Sequence, residues 1–100
     1  MLIYIAGAIS SDPEYRGKFA AAEKHLKDLG HEAVNPADNT GINYKDYIDK
    51  GLRQLMNCDA IYLLPDWIES PGAKLECAYA ATIGMKRIYA EAGEKEFITG

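Results

Sequence analysis

Short β-prone runs alternate with helix-spaced apolar segments along the whole chain, and this alternation restricts the fold more than any other feature. Leu2-Ile3-Tyr4-Ile5 reads as a first strand, ended by Ala6-Gly7. Ser11-Asp12-Pro13-Glu14 predicts a helix start with Asp12 as N-cap and Pro13 at the first helical position. Phe19, Ala22, Leu26 and Leu29 then share one helical face, and Gly30 closes the helix. His31 to Val34 is a second strand, and Pro36 to Asn43 a polar loop. Tyr44 to Asn57 reads as a second helix whose inward stripe is Ile48, Leu52, Leu55 and Met56. Asp59 to Leu64 is an apolar strand that suits the centre of a sheet. After the loop Pro65 to Glu69, Ser70-Pro71 repeats the cap-and-proline signal and opens a third helix that runs to Ile83, before Gly84. Arg87 to Ala90 is a fourth strand. The order β-α-β-α-β-α-β with short connections implies an α/β fold: a flavodoxin-like parallel sheet of about four strands, order 2-1-3-4, with helices on both faces.

The chain has 100 residues, 48% of them apolar, which fits a single domain over 1–100 with 91–100 as a loose charged tail. Its longest apolar run, Ala60 to Pro65, is far short of the ~20 residues of a membrane span. Met1-Leu2-Ile3 has no basic leader character, so a cytoplasmic protein is expected. Fifteen acidic against eleven basic residues give a net charge of −4, which argues against a nucleic-acid polymer as partner. Cys58 and Cys77 are too few for a disulfide framework and read as core residues. His25 and His31 have no ligand spacing to a cysteine or carboxylate, so no metal is expected, nor is an organic cofactor.

In such a sheet, ligands bind beyond the carboxyl ends of the strands, where strand order reverses. That places the loops Ala6 to Asp12 and Pro65 to Gly72 at the site, with Asn35 to Asn43 at its flank. They supply Gly7, Ser10, Ser11, Asp66, Trp67, Ser70 and Gly72. Because Pro71 has no N–H, the third helix offers Gly72 and Ala73 as backbone donors beside the Ser70 hydroxyl. Glu76 stands out in the second turn of that helix, among Ala73, Cys77 and Ala80. A carboxylate there suits a nucleophile, a general base or an anchor for sugar hydroxyls, and the same spacing equally fits a surface glutamate. Tyr44, Tyr47, Tyr62, Tyr79 and Tyr89 read as packing residues, and Asp59 as a structural group bonding the turn after Asn57.

Several of these segments together resemble the nucleoside 2-deoxyribosyltransferase-like superfamily. They are Tyr4-Ile5-Ala6-Gly7, Phe19 with Ala20-Ala21-Ala22-Glu23, Asn35-Pro36, and Cys58 through Trp67 followed by Ser70-Pro71-Gly72-Ala73-Lys74-Leu75-Glu76. More narrowly the chain resembles the small phage and bacterial branch designated DUF4406, from Leu2 to Ile88. The resemblance implies cleavage of the N-glycosidic bond of a nucleoside or its 5′-monophosphate, by transfer or hydrolysis. It implies Glu76 as the nucleophile, through a covalent glycosyl-Glu76 intermediate, and Tyr4 as the residue orienting it. Ser70 matches a serine that helps hold a 5′-phosphate in nucleotide N-glycosidases. Asp66 and Asp12 are candidates to assist the departing base, Trp67 either to stack on it or to pack under the loop as a rim aromatic, and Arg16 to clamp a phosphate. A homodimer or higher oligomer is also implied. The chain departs from the pattern at Gly51, where relatives carry an aspartate; Asp49 lies two residues away, a turn of about 200° on a helix. Two alternatives stand beside the enzyme reading: a non-catalytic module for a nucleotide or ADP-ribose-like ligand, and an NAD-cleaving enzyme.

Overall fold

Alternation along the first strand decides which side chains meet which helices. In the computed structural model, which describes residues 1–39, 43–90 and 95–97, this strand is β1 (Leu2–Ala6). It is followed by α1 (Tyr15–Asp28), β2 (Glu32–Val34), α2 (Tyr44–Met56), β3 (Ala60–Leu63), α3 (Pro71–Thr82), β4 (Lys86–Tyr89) and β5 (Lys95–Phe97). The sheet order is β2-β1-β3-β4-β5. The pairs β1–β2, β1–β3 and β3–β4 are parallel, so the four-strand parallel sheet of order 2-1-3-4 is present. The antiparallel β5 is an addition. The sequence reading places it in a loose tail; Lys95–Phe97 instead pairs along the open edge of β4, and the rest of that tail lies outside the described residues.

Ile3 and Ile5 of β1, with Tyr62 and Leu64 of the third strand region and Ile88 of β4, pack against Phe19, Ala22 and Leu26 of α1. Tyr4 and Ala6 point the other way, with Ile61 and Leu63, into a core formed with Leu55 of α2 and Ala73, Cys77 and Ala80 of α3. Helices therefore cover both faces, and β1 presents Tyr4 to the α2–α3 side. Asp59 ties the start of β3 to β1, accepting from the Leu2 N–H at 2.8 Å, rather than bonding the turn after Asn57. No helix among the described residues is long and apolar enough to cross a membrane.

Four local expectations are corrected. Asp12 does not cap α1, whose N-cap is Glu14; its carboxylate accepts from the Glu14 N–H at 2.9 Å in the preceding turn, which also contains Pro13. Leu29 lies past the last helical residue and is exposed, while Gly30 takes the left-handed φ of 91° that ends the helix. Met56 is exposed because α2 docks through Gly51 and Leu55, which rotates Met56 outward. Short 3₁₀ turns occupy Pro36–Asp38 and Trp67–Glu69, where plain loops were expected. Cys58 and Cys77 are buried and free, as read from sequence.

Candidate active site

The third helix starts where the sequence says it should. Ser70 is its N-cap, with Oγ accepting from the Ala73 N–H at 3.1 Å and Pro71 in the first turn. Six residues on, the inward face of α3 carries Glu76, the one buried charged side chain among the described residues, at 7% exposure. It is not a surface glutamate. The Tyr4 hydroxyl, brought to this side by strand alternation, donates to Glu76 Oε2 at 2.6 Å. Oε1 has no hydrogen-bond partner among the described residues.

Burial pushes the Glu76 carboxyl up to about 7, although the bond from Tyr4 pulls in the opposite direction by favouring the anion. Burial and the neighbouring carboxylate push the Tyr4 phenol far above its ordinary value, so it stays protonated and acts as a donor. Above pH 7 the pair is a carboxylate with one oxygen held and one available. Gly51 of α2 closes over it: a Cβ there would lie 2.8 Å from both Glu76 Oε2 and the Tyr4 hydroxyl oxygen. No side chain fits at Gly51 without moving the pair. Asp49 is exposed and paired with Arg53 at 2.8 Å, so it does not replace an aspartate at 51.

Glu76 lies in the wall of an open cavity of about 280 Å³. Of the residues expected at the site, the structure brings Gly7, Ser10, Ser70, Gly72 and Ala73 to this cavity with Glu76, and Tyr4 beneath it. Ser11, Asp66 and Trp67 are not in its lining. Asp66 instead accepts from the Ala8 N–H at 3.0 Å and faces Lys18 at 3.5 Å, fastening the loop after β1 from behind. It borders a separate cavity beside α1. Trp67 packs edge-on to Tyr89, with centroids 5.9 Å apart. Asp12 pairs with Lys18, and Arg16 lies over the Tyr15 ring at 5.2 Å; neither lines the Glu76 cavity.

The sequence reading missed the α2 wall. Tyr44, Tyr47 and Ile48, assigned to packing, line the cavity, as do Ile9, Asn39 and Pro71. Tyr47 is pushed up to about 12, chiefly by burial and then by the Glu76 charge. The available signal was the Asn43 cap, whose side chain accepts from the Asp46 N–H at 2.9 Å and so fixes where α2 begins. Spacing from that cap sets Tyr44, Tyr47 and Ile48 on one face of its first turns. Among the described residues, no group of three or more His, Cys, Asp or Glu is placed to hold a metal ion.

The fold is shared with deoxyribosyltransferases and an N-glycosidase of known structure. A 2-desoxiribosyltransferase from Leishmania mexicana superposes with a TM-score of 0.71 at 22% identity, over 88% of this chain and 62% of that one. The 2-deoxyribosyltransferase of Bacillus psychrosaccharolyticus gives 0.72 at 18% identity, over 89% and 71%. A CMP N-glycosidase from Clostridium botulinum gives 0.66 at 19% identity, over 89% and 67%. The chain thus spans less than two thirds of the length of the Leishmania enzyme. No curated protein matches it in sequence. The chain belongs to the family described as domain of unknown function DUF4406, which matches residues 1–89.

Proposed function

We propose that this protein breaks the N-glycosidic bond of a nucleoside or nucleotide, with Glu76 as the nucleophile. The observation that carries the reading is the buried Glu76 carboxylate, held through Oε2 by Tyr4 and reached from a cavity at the switch point of the sheet. Similarity in fold to deoxyribosyltransferases and a CMP N-glycosidase supports it.

Positive charge develops on the sugar as its bond to the base lengthens. A carboxylate in a poorly hydrated site stabilises that charge more than one in water would. Glu76 Oε1 forms a bond to the anomeric carbon while the carbon–nitrogen bond breaks, and its electron pair leaves with the base, which takes a proton from solvent. Water or a second base then attacks the anomeric carbon and displaces the carboxylate, as in retaining glycosidases. Tyr4 keeps its proton throughout and acts by orienting Oε2. The test is base release, followed by chromatography, from nucleosides, 5′-monophosphates and NAD. Wild type should free a base and Glu76→Gln should not; equal release by both refutes the role of Glu76.

A second reading, binding without turnover, is favoured by Gly51, whose position leaves no room for the aspartate that the family resemblance leads one to expect there. Calorimetry separates the two: a pure binder shows saturable heat and returns its ligand unchanged.

A further inference from the structure

We propose that the cavity takes an uncharged nucleoside and discriminates against its 5′-monophosphate. This rests on the N-glycosidic reading above and narrows its substrate. The cavity holds one ionisable carboxylate, Glu76, while its other polar side chains are the neutral Ser10, Asn39, Ser70 and two tyrosines. Among the described residues, no Lys or Arg lines it. The cations closest in sequence to the loop after β1 are already committed. Lys18 sits between the carboxylates of Asp12 and Asp66, and Arg16 lies over the Tyr15 ring.

The start of α3 is poorly furnished for an anion as well. Pro71 has no N–H, and the Ala73 N–H is taken by Ser70 Oγ at 3.1 Å. The Lys74 N–H bonds the Ser70 carbonyl at 2.9 Å. That leaves the Gly72 N–H and the Ser70 hydroxyl proton, whereas phosphate cradles gather several converging N–H groups and commonly a lysine. Glu76 shows the same deficit from the other side: burial raises its carboxyl, and no cation offsets the effect. A dianion within about 10 Å of that ionised carboxylate, at a partly wetted site, loses roughly ten- to a hundredfold in affinity. The α2 wall of Tyr44, Tyr47 and Ile48, by contrast, gains from covering a flat uncharged base.

The experiment compares kcat/KM for base release from matched nucleosides and 5′-monophosphates, alongside calorimetric titration of wild type with both. The expected result is a preference for the nucleoside of about tenfold or more, set by that repulsion. Ser10→Arg, which adds a cation at the rim, should narrow the preference; an unchanged ratio counts against the inference. Equal or better use of the monophosphate overturns it and leaves the N-glycosidic reading standing. Should no base be freed from any compound, that reading falls and calorimetry decides. Heat from the nucleoside with weaker or no heat from the monophosphate sustains the preference; tighter monophosphate binding, or binding of neither, overturns it.

Discussion

Two helical glycines in this chain should respond to the same substitution in opposite directions. Gly17 lies in α1 with nothing within 4 Å of where a Cβ would sit. Gly17→Ala therefore gains only the helix preference of alanine, about 0.5–1 kcal/mol. Gly51→Ala gains the same preference, but its methyl would lie 2.8 Å from Glu76 Oε2 and from the Tyr4 hydroxyl. Neither neighbour is a free-swinging end: both side chains are buried and joined by a 2.6 Å bond. Forcing a methylene-sized group into such packing costs about 1–3 kcal/mol. Losing a hydrogen bond to a charged group adds about 1.5–3 kcal/mol where the pair is pushed apart. The net expectation for Gly51→Ala is a loss of about 1.5–5.5 kcal/mol where the pair is pushed apart and about 0–2.5 kcal/mol where it holds, and for a chain of this length each kcal/mol moves Tm by about 4–8 °C. Urea denaturation of the two single variants measures both signs against one wild type. A Gly51→Ala protein as stable as Gly17→Ala would refute the close docking of α2 on the Tyr4–Glu76 pair.

Four further outcomes follow from the site and its supports. If Glu76 attacks as the anion, kcat/KM should rise with pH and level off above about 7, and Tyr4→Phe should lower the rate and move the inflection to higher pH, because the Tyr4 bond favours the ionised form; a pH-independent profile would refute this. The same raised carboxyl binds a proton more tightly folded than unfolded, so its contribution falls as pH climbs from about 4.5 to 7, by about 3 kcal/mol in total; urea titrations of Glu76→Gln should lack that decline. Ser70→Ala removes the cap of α3 and should cost about 0.5–2 kcal/mol, read by thermal melting. Asp66→Ala leaves the Ala8 N–H without its acceptor at a cost of about 1–3 kcal/mol, while Asp66→Asn retains an acceptor oxygen; amide exchange at Ala8 should accelerate in the first and far less in the second.

Where local signals agreed with packing, the sequence was legible. The Ser70-Pro71 start, the apolar run before Pro65 and the β-prone run Leu2 to Ile5 fixed individual elements, and their β-α-β order predicted the parallel sheet with the flavodoxin-like strand order. They also located Glu76 on α3 but left its burial undecided, because burial depends on β1 and α2 closing over it. Asp66 illustrates the opposite failure. It occupies the expected loop, yet its side chain turns behind that loop to satisfy the Ala8 N–H. Tyr44 and Tyr47 were misread for a related reason: a tyrosine on a helix face looks the same in sequence whether it meets a core or a cavity. Only the docking angle of α2, set by the missing side chain at Gly51, distinguishes the two cases.

The bond between Tyr4 of β1 and Glu76 of α3 joins residues 72 positions apart, with α1, β2, α2 and β3 intervening in the chain. Contacts that distant form late, because a long loop must close before they contribute any energy. Until α3 has docked onto β1, the carboxylate is an ordinary hydrated glutamate with no oriented oxygen. The held, buried carboxylate is therefore a property of the finished tertiary structure. A chain stalled on the ribosome before α3 emerges carries Tyr4 without the carboxylate that it holds in the finished fold.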